Sequence, residues 1–219
     1  MRFRLPFCFL LLAIIAGQQV SCTRMRTGNQ IAATLDNVES YINDRPDSAL
    51  AVLRSVDTTA LRTRALRARY SLLRVMALDK CFEDITRPGL LDPAVNWYER
   101  HGSADERMKA LYYQGRIAQE RKDQNGAAVF FSRAEEFAND VTDKHALGVL
   151  YLSEAVVYGT VHNIGKQKEY TEKGLDAPFS NPQAESVFLS NYAQMKVLQP
   201  TPDPEGALAL LDRKRKFFM

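Results

Sequence analysis

Hydrophobic positions along most of the chain recur every three or four residues, and no segment alternates convincingly as a β-strand would. Leu66, Tyr70, Leu73 and Ala77 form one such series. This spacing places apolar side chains on one face of a helix. From about Gln30 onwards, the sequence therefore predicts an all-α protein.

Prolines and capping residues mark where the predicted helices begin. Pro46 fits the first turn of a helix, and Asp92 with Pro93 fits an N-cap followed by the first helical residue. Ser103 and Glu106 have the spacing of a capping box. Because the connections are short, neighbouring helices should pair into five antiparallel hairpins. The ten predicted helices lie near 30–43, 46–56, 60–80, 93–100, 104–122, 126–138, 143–160, 166–175, 182–198 and 204–217.

The segment 108–141 resembles a tetratricopeptide repeat (TPR), a two-helix unit of about 34 residues. Gly115 lies at the small position of the first helix, where the two helices cross closely. Ala127 follows twelve residues later at the small position of the second helix, and Phe131 occupies the aromatic position. Each hairpin leaves an apolar face open, and stacking of successive hairpins would bury it.

Further blocks, over roughly Leu35 to Ala138, resemble a family of exported TPR proteins of Gram-negative bacteria. The resemblance implies a right-handed superhelix of stacked hairpins, an α-solenoid, whose concave surface is lined by the first helix of each hairpin and grips peptide segments. Larger relatives continue into a transmembrane helix and a cytoplasmic DNA-binding domain, which makes them receptor-like regulators. The blocks are Arg45-Pro46-Asp47-Ser48-Ala49-Leu50, Arg67-Ala68-Arg69-Tyr70-Ser71-Leu72-Leu73, Ala77-Leu78-Asp79-Lys80 and Ala110-Leu111-Tyr112-Tyr113-Gln114-Gly115.

The first residues have the composition of a signal peptide. Arg2 and Arg4 precede an apolar run over 5–17 that is too short to span a bilayer comfortably. The sequence therefore predicts export, with 1–21 as the signal peptide; a buried N-terminal helix is the alternative.

The junction Ser21-Cys22 resembles the lipobox of bacterial lipoproteins, although Gln19 stands where an aliphatic residue is usual. The resemblance implies lipidation of Cys22, with 22–29 as the anchor linker and 30–219 as the repeat domain. Ordinary cleavage after Ser21 or nearby remains the alternative. The basic segment 23–26 favours a periplasmic orientation in the cell envelope and leaves the choice between inner and outer membrane open.

Composition and charge exclude several classes of protein. The chain is 46% hydrophobic and 25% charged, which is ordinary for a folded globular protein. Without Arg2 and Arg4, the 29 basic residues fall to 27 against 26 acidic ones. A net charge of about +1 gives no electrostatic case for nucleic-acid binding.

The residues that carry metal or catalytic chemistry are not grouped in the sequence. His101, His145 and His162 have no second ligand at metal spacing, and surface or capping roles are expected for them. No phosphate-binding loop or nucleophile motif is present. We therefore expect no enzyme activity, metal or cofactor.

One helix face provides the candidate binding site. Lys109, Tyr112, Arg116 and Gln119 are spaced three, four and three residues apart, which keeps them on one face of the predicted helix 104–122. The two cations suit carboxylates, and Tyr112 suits an apolar side chain. A solubilising surface is the alternative. Because neighbours on a helix are about 100° apart, one of Tyr112 and Tyr113 should point away from the core.

Together, these features predict an envelope-anchored TPR-type scaffold that binds a peptide or protein partner and contacts the membrane through its N-terminal lipid. The alternative function is the periplasmic sensor half of a membrane-bound transcriptional regulator, truncated before its transmembrane span. An envelope enzyme is a third class that no residue specifically indicates.

Overall fold

The computed structural model describes residues 28–176, 186, 189–190, 192–194, 196–197 and 202–215. All regular secondary structure in these residues is helical, which confirms the all-α prediction. Thr58–Ala60 is a single 3₁₀ turn, and the described residues between 186 and 197 are also helical. The remaining helices are α1 (28–41), α2 (Pro46–Ser55), α3 (Arg64–Lys80), α4 (Asp92–His101), α5 (Ala104–Glu120), α6 (Gln124–Glu135), α7 (Lys144–Thr160), α8 (Ile164–Asp176) and α9 (Pro204–Arg215).

Side-chain caps fix the starts of most of these helices. The capping box before α5 is confirmed: the Ser103 hydroxyl accepts from the backbone N–H of Glu106 at 3.3 Å, and the Glu106 carboxylate accepts from the Ser103 N–H at 2.8 Å. Thr63, Asp123 and Asp143 each accept a hydrogen bond from the backbone N–H three residues ahead. These caps satisfy N–H groups that have no partner within the helix.

Two of the differences between predicted and observed helix boundaries have a clear local cause. The helix predicted from residue 60 begins at Arg64, because Asp57 accepts from the N–H of Thr59 and closes the separate turn Thr58–Ala60. Asp92 is the first residue of α4 and not its N-cap, since the backbone of Leu91 is already helical. The Asp92 carboxylate therefore lies in the first turn, where its negative charge interacts favourably with the positive end of the helix dipole.

Helices that follow one another pack together as antiparallel pairs. The connections between α5 and α6 and between α7 and α8 are three residues long. Each contains a residue with positive φ, Lys122 at 64° and His162 at 56°, which reverses the chain direction tightly. Further packing joins α2 to α3, α3 to α4, α4 to α5, α6 to α7 and α3 to α5.

The predicted close crossing between α5 and α6 is confirmed. A Cβ atom at Gly115 would overlap the ring of Phe131, so only glycine allows this approach. Ala127 and Phe131 are completely buried. The surrounding apolar core is continuous from Leu35 in α1 to Val157 in α7.

Several side-chain bonds join residues of successive hairpins. Five of them have separations between 30 and 38 residues along the sequence, while Arg54–Glu83 spans 29 and Tyr112–Ser153 spans 41. These separations are close to the length of one hairpin with its connections. The five pairs are Glu39–Arg69, Asp79–Arg116, Asp105–Thr142, Glu135–Tyr170 and Glu135–Lys173.

Candidate functional site

A groove of about 230 Å³ runs along the first helix of each successive hairpin. Its lining residues lie in α1, α3, α5 and α7 or directly beside these helices. The lining includes apolar and aromatic side chains together with several charged ones. The lining residues are Glu39, Ile42, Asn43, Met76, Lys80, Met108, Lys109, Tyr112, Tyr113, Asp143, His145, Ala146 and Val149.

The structure places two of the four predicted site residues in this groove. Lys109 and Tyr112 line it, whereas Arg116 and Gln119 lie further along α5, outside the lining. The Arg116 guanidinium donates to Gln119 Oε1 at 2.7 Å, so these two side chains contact each other. Partner binding by this face of α5 stays a prediction.

Lys109 forms an ion pair inside the groove. Its Nζ lies 2.7 Å from Asp143 Oδ2, and the two side chains are 17% and 31% exposed. Burial alone would raise the pKa of Asp143, but the bonds from Lys109 and from the Ala146 N–H outweigh it and lower that pKa. The carboxylate is therefore ionised at neutral pH and neutralises Lys109 within the protein.

Arg116 is likewise neutralised, and its pair joins two hairpins. Its Nη2 and Nε donate to the two carboxylate oxygens of Asp79 in α3, at 2.8 and 3.3 Å. Although burial disfavours the charged guanidinium, the bonds and charge of Asp79 raise the pKa of Arg116. This geometry makes Arg116 a link between α3 and α5.

The expectation that one tyrosine would point away from the core is wrong. Tyr112 is 9% exposed and Tyr113 is 5% exposed. The rings contact each other edge to face at 4.9 Å between centroids, and Tyr112 also stacks on Phe131 at 5.7 Å. Since α5 packs against α3, α4 and α6, it is buried around more of its circumference than a surface helix. Burial raises the pKa of Tyr112 to about 12, so its hydroxyl stays protonated.

Lys80 and His145 are groove residues that the sequence did not single out as site residues. Both side chains are half-buried and line the groove near the ends of α3 and α7. Burial lowers the pKa of Lys80, while Asp79 and Asp143 act in the opposite direction. Burial, together with the charge of Lys80, lowers the pKa of His145.

Lys80 differs from the other two cations in its contacts. Within the described part of the chain, no ion pair within 4.0 Å joins its ammonium to a carboxylate, whereas Lys109 has one and Arg116 has two. The sequence signal that could have identified Lys80 is its place at the end of α3, two residues after the apolar run Val75–Leu78. A lysine that follows a buried helical segment so closely has its side chain next to the core, and here that side chain lines the groove.

Other sequence predictions fall outside the groove. The segment 1–21, Cys22 and most of the linker 22–29 lie outside the described residues. His101 stacks on Trp97, with 4.0 Å between ring centroids, at the end of α4. In the described residues, histidines, cysteines and carboxylates form no group of three placed to hold a metal ion. The described helices also include none with the length and apolar content needed to cross a bilayer.

Comparisons of the chain with protein-family models, with curated proteins and with solved structures find no match.

Proposed function

We propose that this chain is a binding module of stacked TPR-like hairpins that holds an extended segment of a protein or peptide partner. The observation that carries the proposal is the groove, whose lining comes from α1, α3, α5 and α7, the first helix of each hairpin. A surface built in this way follows the stack, so it suits a ligand that extends along several repeats. The regular separation of the bonds between hairpins supports the stacked arrangement.

The chemistry of the groove favours a segment that carries a carboxylate next to apolar side chains. Met76, Met108 and Val149 provide apolar contacts along the floor. Methionine adapts to different apolar partners because its side chain is flexible and polarisable. Lys80 provides a positive charge that no described carboxylate pairs with directly.

Burial makes that charge effective in recognition. A half-buried ammonium has lost part of its hydration, so a ligand carboxylate restores interactions that the protein itself does not supply. Lys109 contributes less, since Asp143 already neutralises it. We place the recognition of the acidic side chain at Lys80 and the support of the ligand backbone at Lys109 and Tyr112.

The proposed setting is the periplasmic side of the cell envelope, with the module held to a membrane by a lipid on Cys22. The support for this setting is the signal-like segment 1–21 and the Ser21-Cys22 junction. A tether at one end leaves the groove free to meet partners near the membrane surface.

A random peptide library displayed on phage tests the proposed function. Selection on the purified chain should enrich peptides with an acidic residue flanked by apolar ones. Fluorescence polarisation with an enriched peptide should then show at least about tenfold weaker binding to Lys80→Gln, the loss typical of one charge-assisted contact. Lys168→Gln is the matched control, because Lys168 lies on the exposed surface of α8.

Circular dichroism must first show native helix content in both variants. Failure to enrich any peptide family would contradict the proposed function. Equal binding by wild type and Lys80→Gln would remove Lys80 from the site.

A further inference from the structure

A second cavity, of about 170 Å³, lies on the opposite side of α5 from the groove. Arg107, Leu111 and Gln114 line it, and they are separated along α5 by four and three residues. Lys109 and Tyr112 project from the other side of the same helix, because each residue turns the side chain by about 100°. The rest of the lining comes from Val95 and Glu99 of α4, from Arg133 of α6, and from Glu136 and Phe137 directly after α6.

Arg107 is incompletely satisfied in this cavity. Its Nε is buried, and no acceptor among the described residues bonds to it. Its guanidinium lies 6.0 Å from the centre of the Phe137 ring, and no carboxylate among the described residues forms an ion pair with it. A buried N–H without an acceptor is unfavourable, so a ligand that brings an acceptor would be stabilised here. The planar fork of arginine fits a carboxylate best.

Two cations and two anions line the cavity. Arg133 is the second cation beside Arg107, and Glu99 and Glu136 are the anions, so the formal charges of the lining cancel. In the described chain, no ion pair within 4.0 Å joins either glutamate to either arginine, and Glu99, Arg133 and Glu136 are exposed. Both kinds of charge are thus available to one ligand, while Val95, Leu111 and Phe137 offer it an apolar wall.

We infer that this cavity binds a small zwitterion with an apolar body, a free α-amino acid with a short aliphatic side chain. The ligand carboxylate accepts from Arg107, its ammonium lies towards Glu99 and Glu136, and its side chain contacts Leu111 and Phe137. The volume sets the size: a cavity of about 150 Å³ holds benzene, so about 170 Å³ admits roughly six to eight non-hydrogen atoms, as in valine. The groove is not involved, so either site can be occupied without the other.

Isothermal titration calorimetry of the purified chain with L-valine tests this site. Isobutylamine lacks the carboxylate of valine and isovalerate lacks its ammonium, so each should bind at least about tenfold more weakly than valine. Arg107→Gln should weaken the binding of valine by a similar factor. Arg62→Gln, at an exposed arginine outside the cavity, should leave it unchanged.

Three results would overturn the assignment. They are no heat of binding from alanine, valine, leucine, isoleucine or methionine at millimolar concentration, equal binding of valine and isobutylamine, or equal affinity of wild type and Arg107→Gln. If Arg107→Gln does not fold, the two truncated ligands decide the question on the wild-type chain. Lys80→Gln should retain the binding of valine, which separates this site from the groove.

Discussion

Gly115 of α5 lies directly against the aromatic ring of Phe131 in α6, at a distance that leaves no room for a Cβ atom. Phe131 is completely buried, and Tyr112 stacks on it from the same side of α5. A single hydrogen in place of a side chain therefore determines how closely the two helices of this hairpin approach.

Gly115→Ala should destabilise the protein by about 1–3 kcal/mol, because the added methyl group would displace the Phe131 ring. Urea denaturation followed by circular dichroism measures the change. Gly165→Ala is the matched control, since Gly165 is helical and exposed with space for a Cβ, and alanine there should stabilise the helix slightly. Equal stability of wild type and Gly115→Ala would contradict the close crossing.

The pair between Asp79 and Arg116 should be energetically coupled. Their side chains are 14% and 26% exposed, so removing one leaves the other charge poorly hydrated. We expect Asp79→Asn and Arg116→Gln each to cost about 2 kcal/mol or more, and the double variant to cost less than the sum by about 1–3 kcal/mol. A double-mutant cycle of unfolding free energies measures this coupling.

The exposed pair Lys168–Glu172 provides the comparison for that cycle. Its charged atoms are 3.9 Å apart and both side chains are more than half exposed, so its coupling should be below about 0.5 kcal/mol. Similar coupling in the two cycles would show that Asp79 and Arg116 do not form a special link between α3 and α5.

Glu154 should make the stability of the fold fall as the pH rises. The residue is 3% exposed, and no donor in the described part of the chain bonds to its Oε2. Burial and the charge of Glu135 raise its pKa to about 8, although Lys173 and Lys166 of α8 oppose the change. The folded state therefore binds this proton more tightly than the unfolded chain, whose pKa is about 4.5.

Stability from this group is complete below about pH 4.5 and is lost progressively as the pH rises to about 8. Each unit of pKa shift corresponds to about 1.4 kcal/mol, so the loss should reach up to about 4 kcal/mol. Urea titrations at about pH 5, 7 and 9 should show this slope in wild type and a much smaller one in Glu154→Gln. The exposed control Glu205→Gln should keep the wild-type slope.

Lipidation of Cys22 is a further prediction, made from the Ser21-Cys22 junction. Cells given a clickable palmitate analogue should incorporate it into the wild-type chain and not into Cys22→Ala. Cys81→Ala serves as the control, because Cys81 lies half-buried at the end of α3, with its Sγ 3.4 Å from Asp47. Label on Cys22→Ala at the wild-type level would exclude Cys22 as the attachment site.

The sequence predicted the helices well because their boundaries depend on local chemistry. The capping box at Ser103 and Glu106 and the proline at Pro46 act within a single turn, and the structure places each as expected. The crossing at Gly115 was also predictable, since repeat spacing relates it to Ala127 and Phe131. These signals need no knowledge of distant residues.

The candidate site was less predictable because it depends on which charges meet across hairpins. Lys109 and Arg116 were singled out for their positions on α5, but Asp143 and Asp79, 34 and 37 residues away in sequence, neutralise them. Lys80 lies in a block that resembles a packing motif, and its place in the groove depends on neighbours in three other helices. Pairing of this kind follows from the tertiary arrangement and not from the spacing within one helix.

The moderate sequence separation of the bonds between hairpins also affects how the chain can acquire its structure. Bonds that span 30 to 38 residues can form as soon as the next hairpin has left the ribosome or a translocation channel. Chains with such local contacts fold rapidly, because little entropy is lost in closing each loop. Formation of these contacts can therefore keep pace with the emerging chain.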